Sequence, residues 1–332
     1  MSIIKVETKI ALPKYKQIIA SIEDAVIAGH LKKGDKLPSL NHVKYAHKIS
    51  RDTVLMAFNE LKNRGIIQSI AGKGYYLIND DIEVKKNIFL LFDEFNSFKE
   101  DLYNAFINQL GENIRVDIYF HHFNNSMFGK LIYENIGLYN YYVIMPANLQ
   151  NTHLILDKLP KDKVYILDQT HPELSIYSGI YQNFEKDIYN NLDKAFPLIK
   201  KYKKLILLFS DDRQPQGLLK GFELFCSSNI IESEIISSLK DRCLNKGEIY
   251  IVPDDKNLLR IIKKIKETQL ILSNDIGIIS YNDTLLKELV EGGITTISTD
   301  FNKMGEQLAK MILNKEQIQI ENTNHLILRS SL

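Results

Sequence analysis

One short stretch carries polar and basic side chains at spacings that could contact nucleic acid. Within residues 50–76, Arg51 and Thr53 fall in the first turn of a predicted helix, directly after Ser50. The Ser50 hydroxyl can accept a hydrogen bond from an amide at the helix start, and this end of the recognition helix enters the major groove in helix-turn-helix proteins. Lys73, between two glycines, places a cation at the tip of a predicted hairpin. These residues predict a nucleic-acid reader.

Apolar residues in and around this stretch predict the helices and strands that position its polar side chains. Four of them within residues 54–61 recur at helical spacing and give the helix one buried face. Residues 66–70 and 75–78 predict the two strands of the hairpin. Upstream, helical periodicity predicts a first helix over residues 13–28 and a short second helix over residues 39–47. Two helices joined by a short turn and followed by a basic hairpin form a winged helix-turn-helix.

Charge is divided unevenly along the chain. The formal net charge of the 332 residues is +1, but residues 1–79 carry 13 Lys and Arg against 6 Asp and Glu, hence +7. The remaining residues carry 29 against 35, hence −6. Binding to phosphates needs a cationic face, so this division favours a nucleic-acid partner for residues 1–79. From charge alone, a solvated basic surface without a partner is the alternative.

Composition and motifs argue against several classes of protein. Hydrophobic residues make up 45% of the chain and charged residues 25%, which is typical of two or three folded domains in water. The sequence has neither an apolar run of membrane-spanning length nor the apolar core of an export signal, so we expect a cytoplasmic protein. Cys226 and Cys243 are too few for a disulfide framework or a four-cysteine zinc site. Glycine-rich phosphate loops and the common hydrolase motifs do not occur, so we expect no enzyme, metal or cofactor.

The second part of the chain alternates between strand-like and helical apolar patterns. After a polar linker at residues 80–86, this alternation predicts an α/β domain over residues 87–332, with parallel sheets and helices on both sides. The strands fall into two groups, which predict two lobes: residues 87–182 plus 300–315, and residues 183–299 plus 316–332. The predicted strands are residues 88–92, 116–120, 141–145, 164–167, 205–209, 249–252 and 276–280.

Polar side chains follow these strands, and their types suit a polyol ligand. Ligands of open α/β sheets bind outside the carboxyl ends of the strands. Carboxylates, amides and an arginine can pair with vicinal hydroxyls, and aromatic rings can cover the apolar face of a sugar. The alternative is that many of the polar residues in these positions only cap helices, which we expect for at least half of them. The residues predicted to bind the ligand are Phe95, Asn96, His122, Gln182, Asn183, Arg213, Asp255 and Asn282.

The N-terminal part carries a family resemblance. Over about the first 78 residues, its spacing of glycine, serine, arginine and apolar residues resembles the winged helix of the GntR family. The resemblance rests on residues 34–39 and 50–54, Ala57, Leu61, Gly65 and residues 72–74. It implies contacts to DNA phosphates or bases from the helices and to the minor groove from the wing tip. The residues that it places at the DNA are Ser39, Ser50, Arg51 and Thr53 on the helices and Gly72 and Lys73 at the wing tip.

One position departs from the GntR pattern. Leu40 and Asn41 stand where the family usually has Glu-Arg, and that arginine contacts DNA. Asn41 can hydrogen-bond DNA in its place, so we include it among the predicted DNA-binding residues. The operator therefore need not follow the sequence that is familiar for the family.

Residues 249–313 carry a second resemblance. Their motifs resemble the effector domain of the LacI/GalR repressors, which has a periplasmic-binding-protein-like fold. The resemblance implies that Asn282 and either Gln182 or Asn183 contact a sugar. Leu218 replaces an arginine that often grips the ligand in that family, and Asn282 replaces an aspartate. The ligand chemistry therefore need not match that of the best-known members.

Together, the two resemblances suggest a bacterial regulator of the arabinose-repressor type. They imply a repressor of carbohydrate-utilisation genes that binds a palindromic operator in double-stranded DNA as a homodimer. A monosaccharide bound between the lobes would close them and change the spacing of the paired winged helices. We expect the sugar to relieve repression, and activation of DNA binding by the sugar remains the alternative. The alternative is a constitutive or non-sugar-responsive DNA-binding dimer whose C-terminal domain serves dimerisation.

Overall fold

The computed structural model describes residues 3–7, 12–80, 86–112, 114–240 and 242–332. Within them, a small helical domain with a two-stranded hairpin precedes two six-stranded sheets. Each of these sheets has an apolar core on both faces, because its central strands are apolar on both sides. The predicted α/β class with parallel sheets is confirmed.

The N-terminal domain is a winged helix-turn-helix whose core uses the predicted apolar faces. Ile18 and Ile22 of the first helix pack with Val54, Phe58 and Leu61 of the third, and all five side chains are fully buried. This packing is needed because helices of this length are only marginally stable alone in water. The elements are α1 (Lys14–Ile27), α2 (Leu40–His47), α3 (Arg51–Asn63), β1 (Ile67–Ile70) and β2 (Gly74–Leu77), with the two strands antiparallel.

Two serines fix the starts of α2 and α3. Ser39 Oγ accepts a hydrogen bond from the His42 amide, and Ser50 Oγ accepts one from the Thr53 amide, each at 3.1 Å. Both bonds satisfy amides that the first turn of a helix cannot pair internally. Lys48, just after α2, has left-handed backbone angles (φ 51°) and turns the chain toward α3.

The first lobe is organised around a strand that is buried on both faces. Residues 88–92 of this strand, β3, are all apolar and fully buried. The strands are parallel in the order β4-β3-β5-β6-β7. The elements are β3 (Lys86–Phe92), α4 (Ser97–Leu110), β4 (Ile114–Phe120), α5 (Asn125–Asn135), β5 (Tyr141–Ile144), α6 (Thr152–Leu156), β6 (Val164–Asp168) and β7 (Ser178–Tyr181).

The second lobe repeats the same architecture. Its central strand β10 is buried along its whole length, and the parallel order is β9-β8-β10-β11-β12. Asn183 and Asp254 cap the helices α7 and α9, so the chain turns into a helix directly after leaving a strand. The elements are α7 (Phe184–Ile199), β8 (Lys204–Leu208), α8 (Gln216–Asn229), β9 (Glu232–Ile236), β10 (Glu248–Val252), α9 (Asp255–Thr268), β11 (Ile276–Tyr281), α10 (Leu285–Leu289) and β12 (Thr295–Thr299).

The chain then returns to the first lobe and leaves it again. Helix α11 (Phe301–Asn314) packs against α4, and β13 (Gln319–Glu321) pairs in parallel with β7 at the edge of the first sheet. Strand β14 (Asn324–Ile327) pairs antiparallel with β12 in the second sheet. The predicted assignment of residues 316–332 to the second lobe is therefore wrong for β13. The reason is packing, since Ile320 contacts the apolar core of the first lobe.

Part of the predicted domain boundary lies outside the described residues. Residues 81–85 of the predicted linker 80–86 belong to that part, as do residues 1, 2 and 8–11 of the predicted N-terminal domain. Asp80 is tied to the winged helix, because its carboxylate accepts a hydrogen bond from the Lys33 amide at 3.0 Å. Lys86, predicted as linker, already belongs to β3.

Replacement of two helical glycines by alanine should change the free energy of unfolding in opposite directions. A Cβ on Gly305 of α11 would lie 2.3 Å from the Leu102 carbonyl oxygen of α4, whereas a Cβ on Gly129 of α5 meets ordinary contacts of 3.4 Å and more. We expect Gly305→Ala to lower the free energy of unfolding by about 1–3 kcal/mol, because two packed helices must move apart. Gly129→Ala should raise it by up to about 1 kcal/mol through helix propensity. Urea unfolding of both variants tests this, and equal effects would contradict the α4–α11 packing.

Candidate functional site

The predicted DNA-reading residues form an exposed surface at the start of α3. Arg51 is exposed in the first turn. Ser50 Oγ and Thr53 Oγ1 share a hydrogen bond of 2.7 Å, in addition to the cap on the Thr53 amide. The opposite face of α3 is buried in the domain core, so this surface is the one that a partner can approach. A capped first turn with an exposed cation suits contact with phosphates and base edges.

The remaining predicted DNA-binding residues are also accessible. Ser39 and Asn41 are exposed at the start of α2. Gly72 and Lys73 are exposed at the tip of the hairpin, where Gly72 has a left-handed backbone (φ 71°) that favours glycine. These positions match the accessibility that the predicted roles require, and the roles themselves stay predictions.

A cleft of 670 Å³ lies between the carboxyl ends of the strands of the two lobes. This is the edge at which α/β sheets bind ligands, and the volume lies in the usual range of small-molecule sites, about 300–1,000 Å³. Both lobes supply polar groups to its walls. The predicted ligand-binding residues that line it are Asn96, Gln182, Arg213, Asp255 and Asn282.

Three predicted ligand-binding residues lie away from the cleft walls, which corrects the sequence analysis. His122 is exposed and stacks on Phe120, and its left-handed backbone (φ 50°) belongs to the turn after β4. Phe95 is 54% exposed and packs edge-on against the same ring. Asn183 caps α7 and donates a hydrogen bond of 3.1 Å to Glu321. A position just after a strand was not enough to place these side chains in the cleft, because local turns and helix capping direct them elsewhere.

The base of the cleft contains charged groups that the sequence analysis did not select. Lys99 of α4 forms a buried ion pair with Asp93, which follows β3. Asp168, the last residue of β6, accepts a hydrogen bond of 2.5 Å from Gln182 Nε2. Burial raises the pKa of Asp168, and the nearby Lys99 ammonium opposes this rise. The positions of both aspartates at strand ends were visible in the sequence, whereas Lys99 gave no signal of its own.

A buried lysine shapes the second-lobe wall. The Lys287 ammonium donates hydrogen bonds of 2.7 Å to the Tyr281 and Asn282 carbonyl oxygens, and pairs with Asp255 at 2.9 Å. Burial lowers the pKa of Lys287, and Asp255 opposes this shift. These bonds hold the turn in which Asn282 has a left-handed backbone (φ 62°). Lys287 therefore positions two of the predicted ligand-binding residues.

Direct contacts bridge the two lobes at the rim of the cleft. Arg213 of the second lobe pairs with Glu94 of the first at 3.1 Å, and its guanidinium lies 5.5 Å from the centre of the Phe123 ring. Asn148 Nδ2 also donates across the cleft, to the Asp211 carbonyl oxygen at 3.1 Å. The described lobes are thus joined by polar contacts that can exchange with ligand or water.

Two family comparisons match the two ends of the chain. Residues 14–77 match the family described as bacterial regulatory proteins, gntR family. Residues 201–332 match the family described as periplasmic binding protein-like domain. The chain therefore combines a GntR-type helix-turn-helix domain with a periplasmic-binding-protein-like domain, which confirms both resemblances.

Curated relatives match the N-terminal domain. The repressor YtrA of Bacillus subtilis is 34% identical over 74 residues, which is 22% of this chain and 57% of that protein. The mannosyl-D-glycerate transport/metabolism system repressor MngR of Escherichia coli is 37% identical over 84 residues, 25% of this chain and 34% of that protein. The arabinose metabolism transcriptional repressor of Geobacillus stearothermophilus is 33% identical over 66 residues, 20% of this chain and 18% of that protein. The matches thus span less than two thirds of each relative.

Solved structures match the two-lobed part in fold. A LacI family transcriptional regulator from Silicibacter pomeroyi has a TM-score of 0.63 and 13% identity, over 74% of this chain and 98% of that chain. A LacI family transcriptional regulator from Enterococcus faecium with bound ribose has a TM-score of 0.59 and 14% identity, over 74% of this chain and 98% of that chain. These relatives and neighbours are described as transcriptional regulators.

The described part of the chain contains neither a membrane-spanning helix nor a metal-binding cluster. Its helices include none that is both long and apolar enough to cross a membrane. Its histidine, cysteine and carboxylate side chains form no group of three that could hold a metal ion.

A buried carboxylate near the lobe connection should make stability depend on pH. Asp187 of α7 is 8% exposed, makes no ion pair within the described residues, and faces Glu321 and the flanking Lys186 and Lys194. Burial, reinforced by the charge of Glu321, raises its pKa to about 7. Because the folded state holds this proton more tightly than the unfolded chain, the contribution of Asp187 to stability falls as the pH rises from about 4 to about 7.

We therefore expect Asp187→Asn to be more stable than the original chain above pH 7, with the difference vanishing below about pH 4. Urea unfolding at a series of pH values measures it. Asp193→Asn on the exposed face of the same helix is the control, and should show no such trend. A pH-independent difference at position 187 would contradict the raised pKa.

Proposed function

We propose that this chain is a DNA-binding transcriptional repressor whose DNA affinity is controlled by a monosaccharide bound in the cleft. The observation that carries the proposal is the combination of an exposed, serine-capped start of α3 with a polar cleft between the two lobes. Two relatives support it, since MngR is the repressor of a mannosyl-D-glycerate transport/metabolism system and the Geobacillus protein is a transcriptional repressor of arabinose metabolism. The ribose bound by a structural neighbour supports a sugar as the ligand.

The proposed mechanism is a shift between lobe arrangements. A sugar that bonds to both walls would compete with the rim contacts between Arg213 and Glu94 and favour one closure angle. In a homodimer, a change in lobe angle would alter the spacing of the paired winged helices, which must fit successive major grooves of a palindromic operator. Relief of repression is the expected sign. A cytoplasmic location follows from this role as part of the proposal.

Two experiments on the full-length chain test the proposal. Selection from a random duplex library should enrich an inverted repeat, with binding that weakens steeply as salt rises. A thermal-shift screen of pentoses, hexoses, deoxysugars and their phosphates should give at least one ligand that raises the melting temperature. Enrichment of DNA without any ligand would favour the constitutive dimer or an effector that is not a sugar. Failure to select any sequence would contradict the regulator itself.

Arg51 should contribute directly to operator affinity. We expect Arg51→Ala to weaken binding to the selected DNA by about tenfold or more, because a contact from the first turn of α3 is lost. Electrophoretic mobility shift measures the affinity. Lys62→Ala, exposed in the last turn of the same helix, is the matched control and should have a smaller effect. Unchanged affinity of Arg51→Ala would place the DNA elsewhere.

Asn282 should couple the cleft to the DNA response. We expect Asn282→Ala to abolish the effect of the sugar on DNA binding while leaving the affinity in its absence unchanged, because the amide lines the cleft and lies far from α3 in the sequence. Mobility shift with and without the sugar tests this. Asn190→Ala, at an exposed position of α7, is the control. A normal sugar response in Asn282→Ala would remove this residue from the site.

A further inference from the structure

Most of the cations that line the cleft already form ion pairs with carboxylates. Lys99 pairs with Asp93, Arg213 with Glu94, and Lys287 with Asp255. Lys256 is the remaining cation among the described residues of the cleft, and it is exposed at the first turn of α9. A phosphate or carboxylate bound beside Lys99 or Lys287 would have to displace Asp93 or Asp255, which is costly where the lysine is buried.

Two carboxylates of the cleft, Asp168 and Asp254, make no ion pair within the described residues, and Asp254 is already bonded to Asn257 as the cap of α9. Within the described residues, Asp168 accepts a hydrogen bond only from Gln182 Nε2, at 2.5 Å. The nearest opposing charge, Lys99, is committed to Asp93. Asp168 also has a left-handed backbone (φ 72°), an unfavourable conformation for a residue other than glycine. Such a residue, held in place at a strand end, offers its free carboxylate oxygen to the cleft.

The adjacent amide presents a second acceptor. An ionised carboxylate only accepts hydrogen bonds, so Gln182 must turn its nitrogen toward Asp168 and its oxygen away. That oxygen, Gln182 Oε1, is buried and has no donor within the described residues, and the whole side chain is 5% exposed. Asn282 Oδ1 on the opposite wall is likewise buried without a donor. Both oxygens are closed off from solvent, so a ligand reaches them only when these side chains turn, and a ligand that then supplies donors removes the cost of unpaired buried acceptors.

From this arrangement we propose that the ligand is an amino sugar, whose ammonium group binds at Asp168 and Gln182. An ammonium group has three donors, no acceptor and a positive charge, which complements a free carboxylate oxygen and an unpaired amide oxygen. The sugar hydroxyls then pair with Asn282 and the rim. The inference rests on the proposed function, because it specifies the class of sugar that the same cleft binds.

Matched sets of sugars test this inference on the full-length chain. Each set contains a hexose, its 2-amino derivative, the N-acetylated derivative and the 6-phosphate, for the gluco, galacto and manno series. In at least one series we expect the amino sugar to bind about tenfold or more tightly than the parent, by calorimetry near neutral pH. The N-acetyl form, which keeps the nitrogen but loses its charge, should lose this advantage. The phosphate should bind no better than the parent.

Variants locate the ammonium group. Asp168→Asn keeps the size of the side chain and leaves the Asp93–Lys99 pair in place, and should reduce the preference for the amino sugar to about that for the parent. Asp162→Asn, an exposed carboxylate outside the cleft, should keep the preference. Unliganded melting temperatures show whether either variant is misfolded.

The outcomes separate the inference from the proposed function. A neutral sugar that binds as tightly as its amino derivative in every series overturns the amino-sugar inference and leaves the sugar-controlled regulator standing. A preference for the amino sugar that persists in Asp168→Asn overturns the assigned position. Binding of a phosphorylated sugar above all others would show that the paired cations of the cleft can be released. Absence of binding by every member counts against both proposals.

Discussion

Asn322 ties together the three segments in which the chain crosses between the lobes. Its backbone amide donates to the Tyr181 carbonyl oxygen at 2.7 Å. Its side-chain amide donates to Thr299 Oγ1 at 3.0 Å and to the Asp300 carbonyl oxygen at 3.3 Å. The side chain is 4% exposed, so these bonds are protected from water. The crossovers are thereby held side by side, and the carboxyl edges of both sheets must face each other. The cleft exists because of this constraint.

The polar groups of the cleft follow from the same arrangement. Strands that end at a common edge bring Asp93, Asp168 and Asn282 toward one space, and low solvent access there favours ion pairs, although Asp168 makes none within the described residues. Lys99 and Lys287 form such pairs on opposite walls. The Arg213–Glu94 pair between the lobes is exposed and therefore weaker than these pairs of buried lysines. A well-bonded hinge with weaker closing contacts is an arrangement in which a bound molecule can change the population of lobe angles.

The sequence was most informative where local chemistry decides the structure. Ser50 marks a helix start because its hydroxyl can accept a hydrogen bond from an amide of the first turn, and this predicted cap forms, as does an equivalent cap at Ser39. Gln182 and Asn282 line the cleft, and the sequence pointed to them because parallel strands share a carboxyl edge. His122 was predicted at the same kind of position, but its turn, in which His122 and Phe123 both have left-handed backbone angles, directs it away. Lys99 and β13 escaped prediction, because the Asp93 ion pair and the pairing of β13 with β7 arise only from tertiary packing.

The proposed link between cleft and DNA makes a thermodynamic demand that can be measured directly. The affinity of the full-length chain for its selected DNA is determined with and without saturating ligand, and its affinity for the ligand is determined with and without saturating DNA. Linkage requires the same coupling factor in both directions, and coupling free energies of about 1–3 kcal/mol are typical. We predict equal factors of roughly 5 to 150. A ligand that binds equally well with and without DNA would show that the cleft does not control the DNA-reading surface.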